Sequence, residues 1–165
     1  MHMTEAAAFD LNYEYRIVDV REHAGGTVAS LLDDADMKGY SALNITHPFK
    51  QDVLECLDEL SEDAERIGAV NLVIFNDGTR RGENTDWTGF RTGLRIGLPD
   101  GRLSRVVQYG AGGAGAATAY ALLRSRVAEL AITDLDTGLP QELADRYQSQ
   151  FPDQRVVAVG QADAR

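Results

Sequence analysis

Two spacings of hydrophobic residues alternate along the chain, one with the period of a β-strand and one with that of an α-helix. Short apolar runs bounded by Gly, Pro, Asn or Asp predict strands, whereas apolar residues three and four positions apart predict helices. The strands are expected at 13–20, 42–46, 72–75, 80–83, 106–109, 129–133 and 155–159, and the helices at 4–9, 27–35, 49–57, 61–67, 86–96, 116–125 and 139–150. This alternation predicts an α/β fold, in which helices cover the faces of a sheet.

Turn and cap signals divide the chain into two lobes. Asn76-Asp77-Gly78 predicts a hairpin between two strands, and Gly68 suits the C-cap of the helix before it. Pro99-Asp100-Gly101 then interrupts the pattern. We expect residues 1–98 to form one α/β lobe, and residues 99–165 to form the first half of a Rossmann-type lobe of order β-α-β-α-β.

A glycine-rich turn between a predicted strand and a predicted helix is the strongest functional signal. The spacing Gly-x-Gly-x-x-Gly in this position is typical of a dinucleotide site. The first glycine allows a tight turn, the second lets a pyrophosphate approach the backbone, and the third lets helix and strand pack closely. Free amide N–H groups at the helix start then face the phosphate charge. The turn consists of Gly110, Ala111, Gly112, Gly113, Ala114 and Gly115.

Acidic residues after the next strand support this interpretation. Asp134 stands 24 residues after Gly110, near the offset of about 20 residues expected for the acid that binds ribose hydroxyls. Asp136 follows two positions later. The flanking elements and the acids favour a dinucleotide site over the alternative, a glycine turn with a purely structural role.

Composition and charge narrow the range of partners. The chain has 165 residues, of which 44% are hydrophobic and 25% charged, as in ordinary globular proteins. Its net charge of −10 disfavours a nucleic-acid partner. Its single cysteine, Cys56, permits neither an internal disulfide nor a cysteine-based metal site, so we expect no metal. No apolar run approaches the roughly 20 residues of a membrane span and no signal peptide is recognisable, so we expect a cytoplasmic protein without membrane contact.

Polar residues stand at the ends of three predicted strands in the N-terminal half. Lys50 and Asp86 come after two of these strands, and Asn71 stands at the start of a third. A lysine paired with a carboxylate can take the proton of an alcohol while a hydride leaves the carbon. Each residue has a plainer alternative, Lys50 as a solvated lysine and Asp86 as a helix N-cap. Together, ahead of a dinucleotide loop, they favour a shared site.

Four motifs, in this order and spacing, resemble those of the shikimate/quinate dehydrogenase family. The resemblance extends over nearly the whole chain from Met1. The motifs are Asn44-Ile45-Thr46-His47-Pro48-Phe49-Lys50, Gly68-Ala69-Val70-Asn71, Asn84-Thr85-Asp86 with Gly89-Phe90, and Gly110-Ala111-Gly112-Gly113-Ala114.

This resemblance implies that lobe 1–98 binds the substrate and carries the catalytic residues, and that lobe 99–165 is the first half of a dinucleotide-binding Rossmann lobe. It also implies a role for each matching residue. Lys50 matches the catalytic lysine of the family, and Asp86 matches its partner carboxylate. Thr46 and Asn71, with Lys50 and Asp86, match positions that bind the polyol substrate, a small carboxylate such as shikimate or quinate. The glycine loop matches the pyrophosphate site of the cofactor. The implied activity is reversible hydride transfer between a nicotinamide cofactor and a ring hydroxyl of that substrate.

The residues after the second Rossmann strand favour NAD over NADP as the cofactor. In the NADP-using branch of the family this place holds Asn-Arg-Thr, whose arginine binds the 2′-phosphate, whereas this chain has Asp134-Leu135-Asp136. Acidic residues accept hydrogen bonds from free ribose hydroxyls and repel a phosphate. The motif around His47 also resembles the branch that uses NAD on quinate and shikimate.

The resemblance further predicts a chain shorter than the family at both ends. The expected missing parts are a first strand with a Ser-x-Ser/Thr-Pro carboxylate clamp, and the second Rossmann half with its nicotinamide loop. We therefore expect little activity from this chain alone, and an open sheet edge that leads to homo-oligomers or poor solubility. Two alternatives stay open. One is a non-catalytic sensing or assembly module on the same scaffold, and the other is a methylene-tetrahydrofolate dehydrogenase, against which Asn84-Thr85-Asp86 argues.

Overall fold

The computed structural model of the chain describes residues 2–20, 26–99, 101 and 103–160. Helices and strands alternate along these residues, which confirms the α/β class. In chain order the elements are α1 (His2–Ala8), α2 (Val28–Met37), β1 (Ala42–Asn44), a 3₁₀ helix (Asp52–Cys56), β2 (Glu59–Leu60), α3 (Glu62–Ile67), β3 (Leu72–Asn76), β4 (Thr79–Glu83), α4 (Asp86–Gly97), β5 (Arg105–Tyr109), α5 (Gly113–Arg124), β6 (Glu129–Thr133), α6 (Leu139–Gln150) and β7 (Arg155–Ala158).

The N-terminal half contains a four-stranded mixed sheet of order β1-β3-β4-β2. β3 pairs antiparallel with both β1 and β4, and β2 pairs parallel with β4. The predicted hairpin between β3 and β4 is confirmed. Its two turn residues, Asp77 and Gly78, have φ values of 48° and 80°, as a tight turn between twisted strands requires. Gly68 ends α3 in the left-handed conformation, as its position predicts.

The C-terminal half contains a three-stranded parallel sheet of order β5-β6-β7. Its strands are joined by α5 and α6, which gives the predicted β-α-β-α-β order. The alanine-rich helix α5 is almost wholly buried along one side, because small side chains let it approach the sheet closely. This is the arrangement of the first half of a Rossmann lobe.

Helices α3, α4 and α5 join the two halves. Trp87 of α4 packs edge-on against Tyr120 of α5, with ring centroids 5.3 Å apart, and the guanidinium of Arg124 lies 5.4 Å from the Trp87 ring. The Tyr120 hydroxyl donates a hydrogen bond of 2.7 Å to Asp63 of α3. These contacts connect the N-terminal and C-terminal halves. We retain as a proposal the division into lobes 1–98 and 99–165; Asp100 and residues 161–165 lie outside the described residues.

Two expected elements are wrong and one was missed. Residues 13–20 form no strand, because no described strand supplies the backbone partners that an extended segment needs. Instead Tyr15 stacks on His2, with ring centroids 4.4 Å apart, and Ile17 is 89% exposed. The expected helix 49–57 is a turn followed by the 3₁₀ helix. The missed strand β2 has only two residues, too few for a recognisable alternation.

Candidate active site

The pairing of the N-terminal sheet brings three separate chain segments to one edge. The end of β1 lies opposite the start of β3, where Asn44 pairs with Leu72, and Leu72 in turn pairs with Glu83 at the end of β4. The segments after β1, before β3 and after β4 therefore meet. They carry Lys50, Asn71 and Asp86 respectively.

At this edge both carboxylate oxygens of Asp86 are engaged. Lys50 Nζ lies 2.5 Å from Asp86 Oδ2, and Asn71 Nδ2 donates a hydrogen bond of 2.8 Å to Asp86 Oδ1. The Lys50 side chain is only 16% exposed, and that of Asp86 is 37% exposed. Lys50 is thus not the solvated lysine of the plainer alternative. Asp86 is the first residue of α4, with Thr85 at the N-cap, so the capping alternative is also wrong.

Backbone hydrogen bonds hold these side chains in place. Asn71 Oδ1 accepts from the Thr85 backbone N–H at 2.8 Å, and the Lys50 carbonyl accepts from the Val70 N–H at 2.8 Å. Asn84 is 4% exposed and bridges the segments: its Nδ2 donates to the Ala69 carbonyl, and its Oδ1 accepts from the Asp86 N–H. Sequence reasoning gave Asn84 no role of its own. The available signal was an Asn two residues before a helix start, which is typical of a side-chain-stabilised turn.

A cleft of about 470 Å³ is lined on one side by residues of this edge and on the other by the glycine loop. One wall consists of residues between 46 and 51, including exposed Thr46 and His47 together with Lys50. The other wall consists of the glycine loop with Gln108, Tyr109 and Thr118. Lys50 is therefore both a partner of Asp86 and a lining residue of the space in front of the glycine loop.

The glycine loop has the conformation that its spacing predicts. Gly110 has a φ of 107°, which disfavours other residues. A Cβ atom at Gly115 would overlap the carbonyl oxygen of Gly110, so the third glycine allows α5 to approach the end of β5. A Cβ at Gly112 would meet no protein atom within 4 Å. Gly112 thus presents open backbone to the cleft, which fits a pyrophosphate.

Gln108, a buried polar residue on β5, supports this loop and was missed by sequence reasoning. It is 6% exposed, and its Nε2 donates hydrogen bonds of 2.8 and 2.9 Å to the carbonyls of Gly110 and Gly115. Its Oε1 is buried and accepts no hydrogen bond from the described part of the chain. The signal was a glutamine within an otherwise apolar strand, where a buried amide needs partners.

The two acids after β6 have different surroundings. Asp134 Oδ2 accepts a hydrogen bond of 2.7 Å from the Ala111 N–H, and Oδ1 accepts one of 3.1 Å from the Asp136 N–H. The Ala111 hydrogen bond, and secondly that from Asp136, lower the pKa of the Asp134 carboxyl below its usual value. Asp134 thus braces the glycine loop through Ala111, which is 4% exposed and is not among the cleft-lining residues of the described part of the chain. Asp136 is exposed, with Oδ1 accepting from the Gly138 N–H. Ala114, also expected at the cofactor, is exposed and lines the cleft.

The fold and the cleft define a class: two-lobed α/β proteins in which a Rossmann-type glycine loop faces a polar site on a separate mixed sheet. Residues 1–73 match the family profile described as "Shikimate dehydrogenase substrate binding domain". The chain is similar to a shikimate dehydrogenase (NADP(+)) of Arthrobacter sp. (strain FB24), with 49% identity over 96% of this chain and 55% of the relative. It is also similar to a quinate/shikimate dehydrogenase (NAD(+)) of Corynebacterium efficiens, with 45% identity over 100% of this chain and 58% of the relative.

Solved structures agree with these relatives. A quinate dehydrogenase from Corynebacterium glutamicum in complex with NAD superposes with a TM-score of 0.90 at 43% identity, covering 98% of this chain and 58% of that one. The chain belongs to the shikimate/quinate dehydrogenase family. It spans about half the length of the curated relatives it matches. None of the helices within the described residues has the length and apolar character needed to cross a bilayer.

Proposed function

We propose that this chain carries the proton-transfer site and the pyrophosphate site of an NAD-dependent dehydrogenase that acts on shikimate or quinate. The observation that carries the proposal is the position of Lys50. Its amino group is paired with Asp86, while its side chain lines the cleft whose opposite wall is the glycine loop. A proton acceptor and a dinucleotide loop thus share one space, as oxidation of an alcohol by hydride transfer requires.

The chain's own residues supply binding and proton transfer in this proposal. Lys50 Nζ, as the neutral amine, takes the proton of the ring hydroxyl and becomes an ammonium, which Asp86 then holds by charge and orientation. Asn71 fixes the other oxygen of Asp86, so that the carboxylate cannot rotate away from Lys50. Thr46, exposed on the cleft wall, offers a hydroxyl to the polyol. When bound, NAD supplies the nicotinamide ring that accepts the hydride.

The activity test measures NAD-linked oxidation of quinate and of shikimate. The matched region of the Corynebacterium glutamicum quinate dehydrogenase, 58% of that chain, is replaced by this chain to give a full-length chimaera. We expect the chimaera to oxidise at least one of the two polyols, and this chain alone to show little turnover because it spans about half of its relatives. A folded chimaera that binds NAD but oxidises neither polyol would favour the non-catalytic sensing module instead.

For the cofactor, we propose NAD rather than NADP. Relatives of both kinds are similar to this chain, so the choice rests on local charge. Asp136 is an exposed carboxylate close to the loop that Asp134 braces, and it would lie near a ribose at the end of β6. A 2′-phosphate placed there would meet a like charge with no cation in the stretch 133–138 to offset it.

Replacing Asp136 by arginine is expected to reduce the preference for NAD over NADP by roughly tenfold or more, because a repulsive charge becomes an attractive one. The measurement is the dissociation constant of each dinucleotide by titration calorimetry. Asp153→Arg is the matched control, since Asp153 is an exposed acid in the turn before β7, at the opposite end of the parallel sheet. If both variants change the preference equally, net charge and not Asp136 sets it.

A further inference from the structure

Gly113 is a glycine whose presence the dinucleotide motif does not explain. It lies between the second and third motif glycines, and it is the first residue of α5. Its φ is outside the left-handed region, unlike that of Gly110. The backbone would therefore accept an alanine at Gly113, and helix propensity would favour it.

The space around Gly113 is tight for a side chain, so a neighbouring group would have to shift to admit one. A Cβ atom there would lie 3.0 Å from Lys50 Cβ and 3.4 Å from Lys50 Cδ, and 3.6 Å from Ala69 Cβ. The neighbouring Gly112 has no protein atom within 4 Å of the same position. The two adjacent glycines thus have different surroundings. Gly112 faces the open cleft, whereas Gly113 faces the stem of Lys50.

Lys50 has little freedom to move away from such a Cβ. Its carbonyl accepts the hydrogen bond from Val70, and its Nζ is held by Asp86. Ala69, next to Val70, is fully buried, and its carbonyl is held by Asn84. A Cβ at Gly113 would therefore displace either the Lys50 stem or the start of α5.

We propose that Gly113 is a positioning residue that couples the glycine loop to Lys50 by direct packing. Its bare Cα lets the Lys50 stem pack against the first turn of α5, so the segment that would hold the pyrophosphate also sets the place of the Lys50 ammonium. The role of this contact in catalysis rests on the proposed function, whereas the contact itself does not. The contact and the proposed function are therefore tested separately.

A double-mutant cycle on thermal stability tests the contact. Gly113→Ala is expected to lower the melting temperature by about 3 °C or more in the wild-type background, since overpacking costs about 1–3 kcal/mol, and by clearly less beside Lys50→Gly, which removes both crowded atoms. Lys50→Ala removes Cδ but keeps Cβ and should relieve part of the loss. Gly112→Ala, the matched control, should show no coupling to Lys50. The proposal is overturned if the changes in melting temperature caused by Gly113→Ala and Lys50→Gly simply add. It is also overturned if the double variant is as unfolded as Gly113→Ala alone.

Selective acylation tests the position of the ammonium. The lysines of the chain are Lys38 and Lys50, and exposed Lys38 serves as an internal reference in mass spectrometry. Gly113→Ala should raise the labelling of Lys50 relative to Lys38 by about two- to fivefold, the factor that loss of a weak ion pair allows. Gly112→Ala should leave that ratio unchanged while weakening NAD binding. Unchanged Lys50 labelling in folded Gly113→Ala overturns the proposal. A wild-type chain that does not bind NAD instead counts against the proposed function alone.

Discussion

Replacing Lys50 by methionine is expected to lower the turnover of polyol oxidation in the full-length chimaera by about 10²- to 10⁴-fold, the range typical of a lost general base. Methionine keeps an unbranched stem of similar length. The packing against Gly113 is therefore retained, and the terminal amino group is the part removed. Substrate affinity should change by less than about tenfold, because the proton is transferred in the transition state and not in the bound ground state.

The measurement is kcat and KM for both polyols, together with substrate affinity from direct titration. Lys38→Met is the matched control: Lys38 is 60% exposed, paired with Asp34 on α2, and not among the cleft-lining residues. We expect it to retain the turnover of the chimaera. If Lys50→Met turned over substrate at a rate near that of Lys38→Met, Lys50 would not be the base, whatever its distance from Asp86.

Replacing Gly115 by alanine is expected to abolish measurable NAD binding and to lower the free energy of unfolding by about 1–3 kcal/mol, the usual cost of overpacking. The added Cβ would overlap the Gly110 carbonyl oxygen and lie 2.6 Å from its carbon. It would also lie 3.3 Å from Gln108 Nε2, which holds the carbonyls of both glycines. Since the obstructing atoms are backbone, the loop must change shape, and the pyrophosphate cradle is lost.

Chemical denaturation and NAD titration measure the two effects. Gly93→Ala is the control, because Gly93 lies inside α4, a helix of the same length as α5, and a Cβ there meets no atom within 4 Å. In that place alanine should be neutral or stabilise by up to about 1 kcal/mol. A Gly115→Ala variant with wild-type stability and NAD affinity would mean that the loop does not need the close approach seen between Gly110 and Gly115.

Several features could be predicted from local sequence because their causes are local. The hairpin at Asp77 and Gly78 follows from residues that tolerate positive φ, and the end of α3 at Gly68 follows from the same property. The strand, glycine turn and helix around Gly110 depend on spacing over a few residues. The expected strand 13–20 failed for the opposite reason, because a strand needs partners elsewhere in the chain and an alternating pattern does not show whether they are present.

The candidate site likewise combines features that local sequence indicates with contacts that depend on residues distant in the chain. Lys50 and Asp86 were singled out from residue type, motif and position at strand ends, so local sequence was enough to identify them as candidates for the chemistry. Their 2.5 Å contact depends on the register that pairs β1 with β3 and β3 with β4, and no local signal contains that register. The two hydrogen bonds of Gln108 and the packing of Gly113 on Lys50 likewise join residues from different elements. These contacts depend on the tertiary structure. Van der Waals packing and hydrogen bonding act over a few ångströms in space, whatever the separation of the residues along the chain.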